Sequence, residues 1–170
     1  MYNRVPNVTV SFWVIKLLAV TVGETAADYL AVNLGYGLST TTWFMSAVLA
    51  VALLLQFAQR RYVPWAYWLA VVLISIVGTL ITDNMVDNLD IKLQTSTTFF
   101  GVVLAATFAV WYWVERTLSI HTIYTTRREI FYWLTILFTF SLGTAAGDLV
   151  SEYFGLGYLI SGIIFGALVV

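Results

Sequence analysis

The chain has no cysteine, two prolines, one histidine and few charges, 8 Lys/Arg against 9 Asp/Glu in 170 residues. Without cysteine there are no disulfides and no thiolate metal sites, and the redox compartment leaves no mark on the sequence. The single histidine, His121, has no second histidine with which to form a ligand pair and reads as a solvated loop residue. A net charge of -1 with no clustered basic face argues against a nucleic-acid partner. No Ser/His/Asp or Cys/His set in enzyme-like order is present. Gly35-Tyr36-Gly37 and Gly155-Leu156-Gly157 are not phosphate loops, since neither follows a strand. The expectation is a protein that is not an enzyme, with no catalytic residue, no assigned cofactor and no firmly assigned metal site.

What is present is apolar. A chain that is 61% hydrophobic and 10% charged has too little polar surface to cover a soluble globule of its size. The runs Val8 to Val22, Met45 to Phe57, Trp65 to Leu80, Phe99 to Val114 and Ile130 to Leu142 contain one charge between them, Lys16. With their flanks, each reaches the ~20 residues that span ~30 Å of hydrocarbon. The apolar character is continuous rather than alternating, which fits helices and not barrel strands. The first run lacks a small-residue cleavage site and carries Lys16, so it reads as a structural helix and not a removable signal.

The fold class expected is an all-α integral membrane protein, one transmembrane domain over residues 1–170. Helix 1 is predicted from near Val8 to about Leu34 and helix 2 from cap candidates Ser39 and Thr40 to about Gln59. Helix 3 follows from Trp65 to about Asn88. After the polar link Asp87 to Lys92, helix 4 runs from roughly Thr95 to Glu115. The long link Arg116 to Arg128 precedes helix 5, about Glu129 to Phe154, and helix 6 begins near Tyr158. Helix 6 has thirteen residues, about 20 Å at 1.5 Å each, too few to cross. The expectation is that the natural chain continues past Val170 or that a partner supplies the missing part.

The helices belong to a repeat. A glycine stands five residues ahead of an acid at Gly23/Asp28, Gly78/Asp83 and Gly143/Asp148, offsets of 55 and 65 residues. Trp13, Trp68 and Trp133 lie ten residues before the glycines. Glu24, Thr79 and Thr144 follow them, and Gly35, Asp90 and Gly155 come seven after the acids. The repeats are therefore parallel two-helix hairpins, residues 8–60, 64–115 and 129–170, the third truncated. An even number of crossings per repeat gives every hairpin one orientation, related by rotation about the membrane normal, unlike inverted-repeat transporters. Arg4, Arg60, Arg61, Arg116, Arg127 and Arg128 fall on the N-terminal side, which places the N-terminus in the cytoplasm.

The glycines open small-xxx-small spacings suited to close helix packing. One residue on, Glu24/Asp28, Thr79/Asp83 and Thr144/Asp148 each share a helix face. A carboxylate facing lipid near mid-membrane costs on the order of 3 kcal/mol, so the three faces should converge inward. Glu24 stands out because it replaces the Thr of the other copies; a structural ion pair is the plainer reading. Lys16, also peculiar to the first repeat, is the candidate ion-pair or coupling residue, with snorkelling toward the cytoplasmic face as its plain alternative. Asp28, Asp83 and Asp148 divide between turn-fixing and a cation-attracting mouth. Oxygen ligands without Cys or His would suit a hard cation.

With Gly-Glu-Thr-Ala-Ala-Asp-Tyr-Leu, Gly-Thr-Leu-Ile-Thr-Asp-Asn and Gly-Thr-Ala-Ala-Gly-Asp-Leu in view, the chain resembles a bacterial family of uncharacterised multi-spanning membrane-anchored proteins built from about four copies of a repeat of unknown function. The resemblance implies the fold and transmits no site residue. The functional expectation is a bacterial inner-membrane transporter or exporter of a small cation, with protonation of inward carboxylates coupled to release. A non-transporting scaffold or assembly factor, and a carrier of a neutral organic solute, are the alternatives. Lipid is the one certain partner class, and a part-bundle can complete itself as a homo-oligomer.

Overall fold

The computed structural model describes residues 3–169. Met1 and Val170, the ends of the expected domain, lie outside the described residues. Among these residues there are six helices and no strand: α1 Val10–Asp28, α2 Leu38–Phe57, α3 Pro64–Asp83, α4 Leu93–Glu115, α5 Thr126–Asp148 and α6 Gly157–Val169. Each of α1, α3 and α5 continues into a five-residue π-helical tail, Tyr29–Asn33, Asn84–Asn88 and Leu149–Tyr153. Counted with their tails, five of the helices are long and apolar enough to cross a membrane. That is the composition of an integral membrane protein. Helix α6, with 13 residues, is the short one.

The boundaries differ from expectation for local reasons. Helix α1 starts at Val10 because the Thr9 hydroxyl accepts from the Phe12 amide. Ser39 and Thr40 do not cap α2; they lie inside its first turn behind Gly37, whose φ of 77° turns the chain in. Helix α5 begins three residues before Glu129, capped by Thr125 onto the Arg128 amide. The link ahead of it contains a 3-10 turn at Ile120–Thr122.

Packing does not follow the sequence hairpins. Helix α2 packs along α3, and α4 along α5, so each even helix lies against the first helix of the following repeat. Its own hairpin partner meets it mainly at the π tail. The odd helices pack in series, α1 on α3 and α3 on α5. Helix α3 is central, with every residue from Ala70 to Leu80 except Val72 buried.

The same interface is made twice. Gly23 of α1 lies against Ser75 and the Ile76 backbone of α3, and Gly78 of α3 lies against Phe140 and the Ser141 backbone of α5. Ser75 and Phe140 are equivalent positions in the repeat. A Cβ on Gly78 would come within 2.9 Å of Phe140 Cβ, too close for any side chain. Ser75 Oγ donates to Val20 O at 3.3 Å and Ser141 Oγ to Gly78 O at 3.2 Å, so hydroxyls tie the backbones that glycine lets approach. Near the other end Phe12 meets Trp68 at 5.6 Å and Tyr67 meets Trp133 at 5.4 Å, again one contact repeated.

Candidate functional site

Each repeated acid ends its α-helix. Asp28, Asp83 and Asp148 are the last α-helical residues before the π tails, and each tail is closed by an i to i-5 bond: Leu34 N to Tyr29 O, Leu89 N to Asn84 O and Phe154 N to Leu149 O. Such widened turns cluster at functional sites in helices. None of the three acids caps the tail it precedes. The seven-residue register beyond them is explained by backbone conformation, since Gly35, Asp90 and Gly155 all have positive φ, 70°, 52° and 66°. Asp is among the few residues besides Gly that visit this region.

The three tails bring their acids to one place. A cavity of about 400 Å³ is lined by Glu24, Thr25, Asp28, Thr79, Asp83, Val86, Asp87, Leu93, Thr144, Asp148 and Glu152. All six candidate residues Glu24, Asp28, Asp83, Asp148, Thr79 and Thr144 are therefore in one site, and no Lys or Arg lines it. The Thr79 and Thr144 hydroxyls, both in its lining, are 3.2 Å apart. Among the described residues, Glu24, Asp28, Asp83 and Asp148 form no side-chain hydrogen bond or ion pair. No three of the described acids come close enough together to hold one metal ion directly.

Asp87, which reads as part of the polar link in the sequence, and Glu152, which falls within the expected helix 5, also line this cavity. Each lies four residues after its repeat acid, a spacing that keeps both on one helical face. That spacing was the available signal.

Lys16 takes no part in an ion pair among the described residues. Its Nζ sits 4.6 Å from the centre of the Phe140 ring. It lines a second cavity of about 520 Å³, a groove between α1, α5 and α6 floored by Ser75 and Thr79 of α3. Glu24, Thr79, Thr144 and Asp148 belong to both cavities and stand where the two meet.

The N-terminal end of the bundle holds the residue that sequence reading passed over as a helix start. Glu129 is fully buried, accepting from Arg4 Nη1 at 2.6 Å and Gln56 Nε2 at 2.9 Å. The segment that carries Arg4 is laced to the loops, with Tyr62 N donating to Asn3 O and Arg4 N to Ile123 O. Beside it the Tyr67 and Tyr132 hydroxyls meet at 2.5 Å.

No curated protein and no solved structure matches the chain. The family described as Repeat of Unknown Function (DUF347) matches residues 11–62, 66–117 and 131–170, tiling the chain at the spacing of the repeated acids. On that threefold match, which covers most of its length, the protein belongs to the family built from this repeat.

Proposed function

We propose that the protein is a transporter or exporter of a small cation in a bacterial inner membrane, with its N-terminus in the cytoplasm. The observation that carries this reading is the acidic cavity, where six of the nine carboxylates of the chain gather with no basic residue among the lining. Among the described residues Glu24, Asp28, Asp83 and Asp148 form no side-chain hydrogen bond or ion pair, and gathering such acids opposes folding because like charges repel. A site retained against that cost is suited to drawing cations from solution.

With no three of the described acids close enough to hold one ion directly, an ion in this cavity would keep much of its hydration water. The cavity is roughly a dozen times the ~30 Å³ that one water occupies in the liquid, so an ion fits with its first shell of water. Discrimination then falls to the residues shared by the two cavities, Glu24, Asp148 and the Thr79–Thr144 hydroxyl pair. The orientation follows from the six arginines at the N-terminal end.

The test is cation flux into liposomes carrying the purified protein, scanned over monovalent ions and over magnesium, calcium and manganese. At least one cation should enter faster than in protein-free liposomes. Glu24→Gln and Asp83→Asn should each lower that flux tenfold or more while the protein stays folded. A folded wild type that moves no cation faster than bare liposomes rejects cation transport, and then a scaffold role or carriage of a neutral organic solute is what remains.

A further inference from the structure

The acidic cavity lies among the π tails, at the end of the odd helices away from Arg4 and Glu129. Between the two ends α3 is sealed, with Val71, Ile74 and Val77 each at most 2% exposed. A carrier working by alternating access opens its two ends in turn, so something at the N-terminal end has to part.

The irregular segment ahead of α1 is a strap across that end. Asn3 Nδ2 donates to Ile120 O at 3.0 Å, Tyr62 N to Asn3 O at 3.1 Å and Arg4 N to Ile123 O at 3.2 Å. Val5 is buried in the same core as Ile123 and Tyr67. Arg4 Nη1 donates to the Thr126 hydroxyl at 3.3 Å as well as to Glu129 Oε2, while Gln56 Nε2 holds Glu129 Oε1. The strap thus reaches the α2–α3 link, the α4–α5 link and the start of α5.

These ties differ in kind from those between the odd helices. Glycine seats bind helix to helix along continuous surfaces, which move only as bodies. The strap is held by single hydrogen bonds and one ion pair, and water can replace each of them once the segment lifts. Residues 6–9, between the strap and α1, are irregular, and Asn7, Val8 and Thr9 are exposed. A short run of this kind, at the end of an element, absorbs the dihedral changes of a hinge.

We propose that residues 3–5 are a gate. The strap closes the N-terminal end while cargo enters the acidic cavity, and its release from Glu129 and the two links opens that end for cargo to pass. The gate rests on the transport reading above. Glu129 binds no cargo in this scheme; it holds the strap shut.

Two measurements test the gate, the first without flux. The chain has no cysteine, so Val71→Cys places a single thiol in the sealed stretch, one turn beyond Tyr67. A membrane-impermeant maleimide applied from the N-terminal side should label it roughly tenfold faster or more when Arg4→Gln and Glu129→Gln together remove both charges, because labelling follows local opening. Where that pair of changes prevents folding, Val5→Ser loosens the strap without stranding a charge and takes its place. Unchanged labelling in a folded variant overturns the gate, whether or not the protein moves a cation. The second measurement locks the strap, with Asn3→Cys and Ile120→Cys bridged by a short bifunctional methanethiosulfonate. Cation flux should fall about tenfold or more and return when a reductant cleaves the bridge. A strap that is only a structural staple leaves flux unchanged on locking, and that result overturns the proposal. A wild type without flux fails the transport reading, whereas the labelling reads the strap by itself.

Discussion

The two ends of the bundle treat carboxylates in opposite ways. At the N-terminal end Glu129 is buried against Arg4 and Gln56, and Glu115 receives both Arg127 and Arg128, the latter at 2.6 Å. At the other end six carboxylates share one cavity without a basic residue on its wall. Paired acids of the first kind hold segments together: Arg4 is on the N-terminal strap, Gln56 on α2 and Glu129 on α5. Four of these six, Glu24, Asp28, Asp83 and Asp148, form no side-chain hydrogen bond or ion pair among the described residues and so tie no segments together. Location in a membrane protein therefore does not by itself make a carboxylate functional; the absence of a structural partner is the sharper criterion.

That contrast can be broken most directly at Glu129. Replacing it with Gln leaves Arg4 enclosed without its counter-charge, and losing one partner of a buried pair costs about 3–5 kcal/mol. An unfolding titration in detergent should show a loss of that order, and a change below about 1 kcal/mol would erase the distinction between the ends. Asp83→Asn should behave differently. Asp83 has no side-chain hydrogen bond or ion pair among the described residues, so exchanging its carboxyl for an amide of the same shape breaks no contact, and stability in the same titration should change by less than about 1 kcal/mol. A loss like that of Glu129→Gln would mean that Asp83 has a structural partner after all. A small gain is expected at Asp90. A non-glycine residue pays roughly 1–2 kcal/mol for left-handed backbone, somewhat less for Asp, so Asp90→Gly should raise stability by about 0.5–1 kcal/mol. No gain would indicate that the Asp90 side chain supports the turn.

Much of this architecture was legible before any coordinates. Continuous apolar runs gave the helices, and the glycine-to-acid spacing gave the repeat and the convergence of Glu24, Asp28, Asp83 and Asp148. Gly35, Asp90 and Gly155 were visible as equivalents, though only dihedral angles show why Asp can stand with Gly. The π tails escaped, because a widened turn differs from an α turn by one residue in bonding and leaves no compositional trace. Glu129 escaped because its partners, Arg4 and Gln56, are 125 and 73 residues away. Lys16 was matched to an acid by charge, whereas its neighbour is the Phe140 ring. The packing of α2 on α3 escaped as well, since adjacency in sequence suggested that each hairpin closes on itself.

That last feature bears on how such a chain can grow. The sequence repeats every 55 to 65 residues, but the tightly packed pairs, α2 with α3 and α4 with α5, straddle the junctions between copies. One copy alone therefore contains almost none of the contacts that hold the bundle together; two copies create the first full set, and every copy added brings one more. In a linear array with nearest-neighbour coupling, stability then rises with the number of junctions rather than the number of units. Cutting between Phe57 and Pro64, the obvious place to divide the sequence, would sever a principal joint and leave neither fragment a ready-made domain.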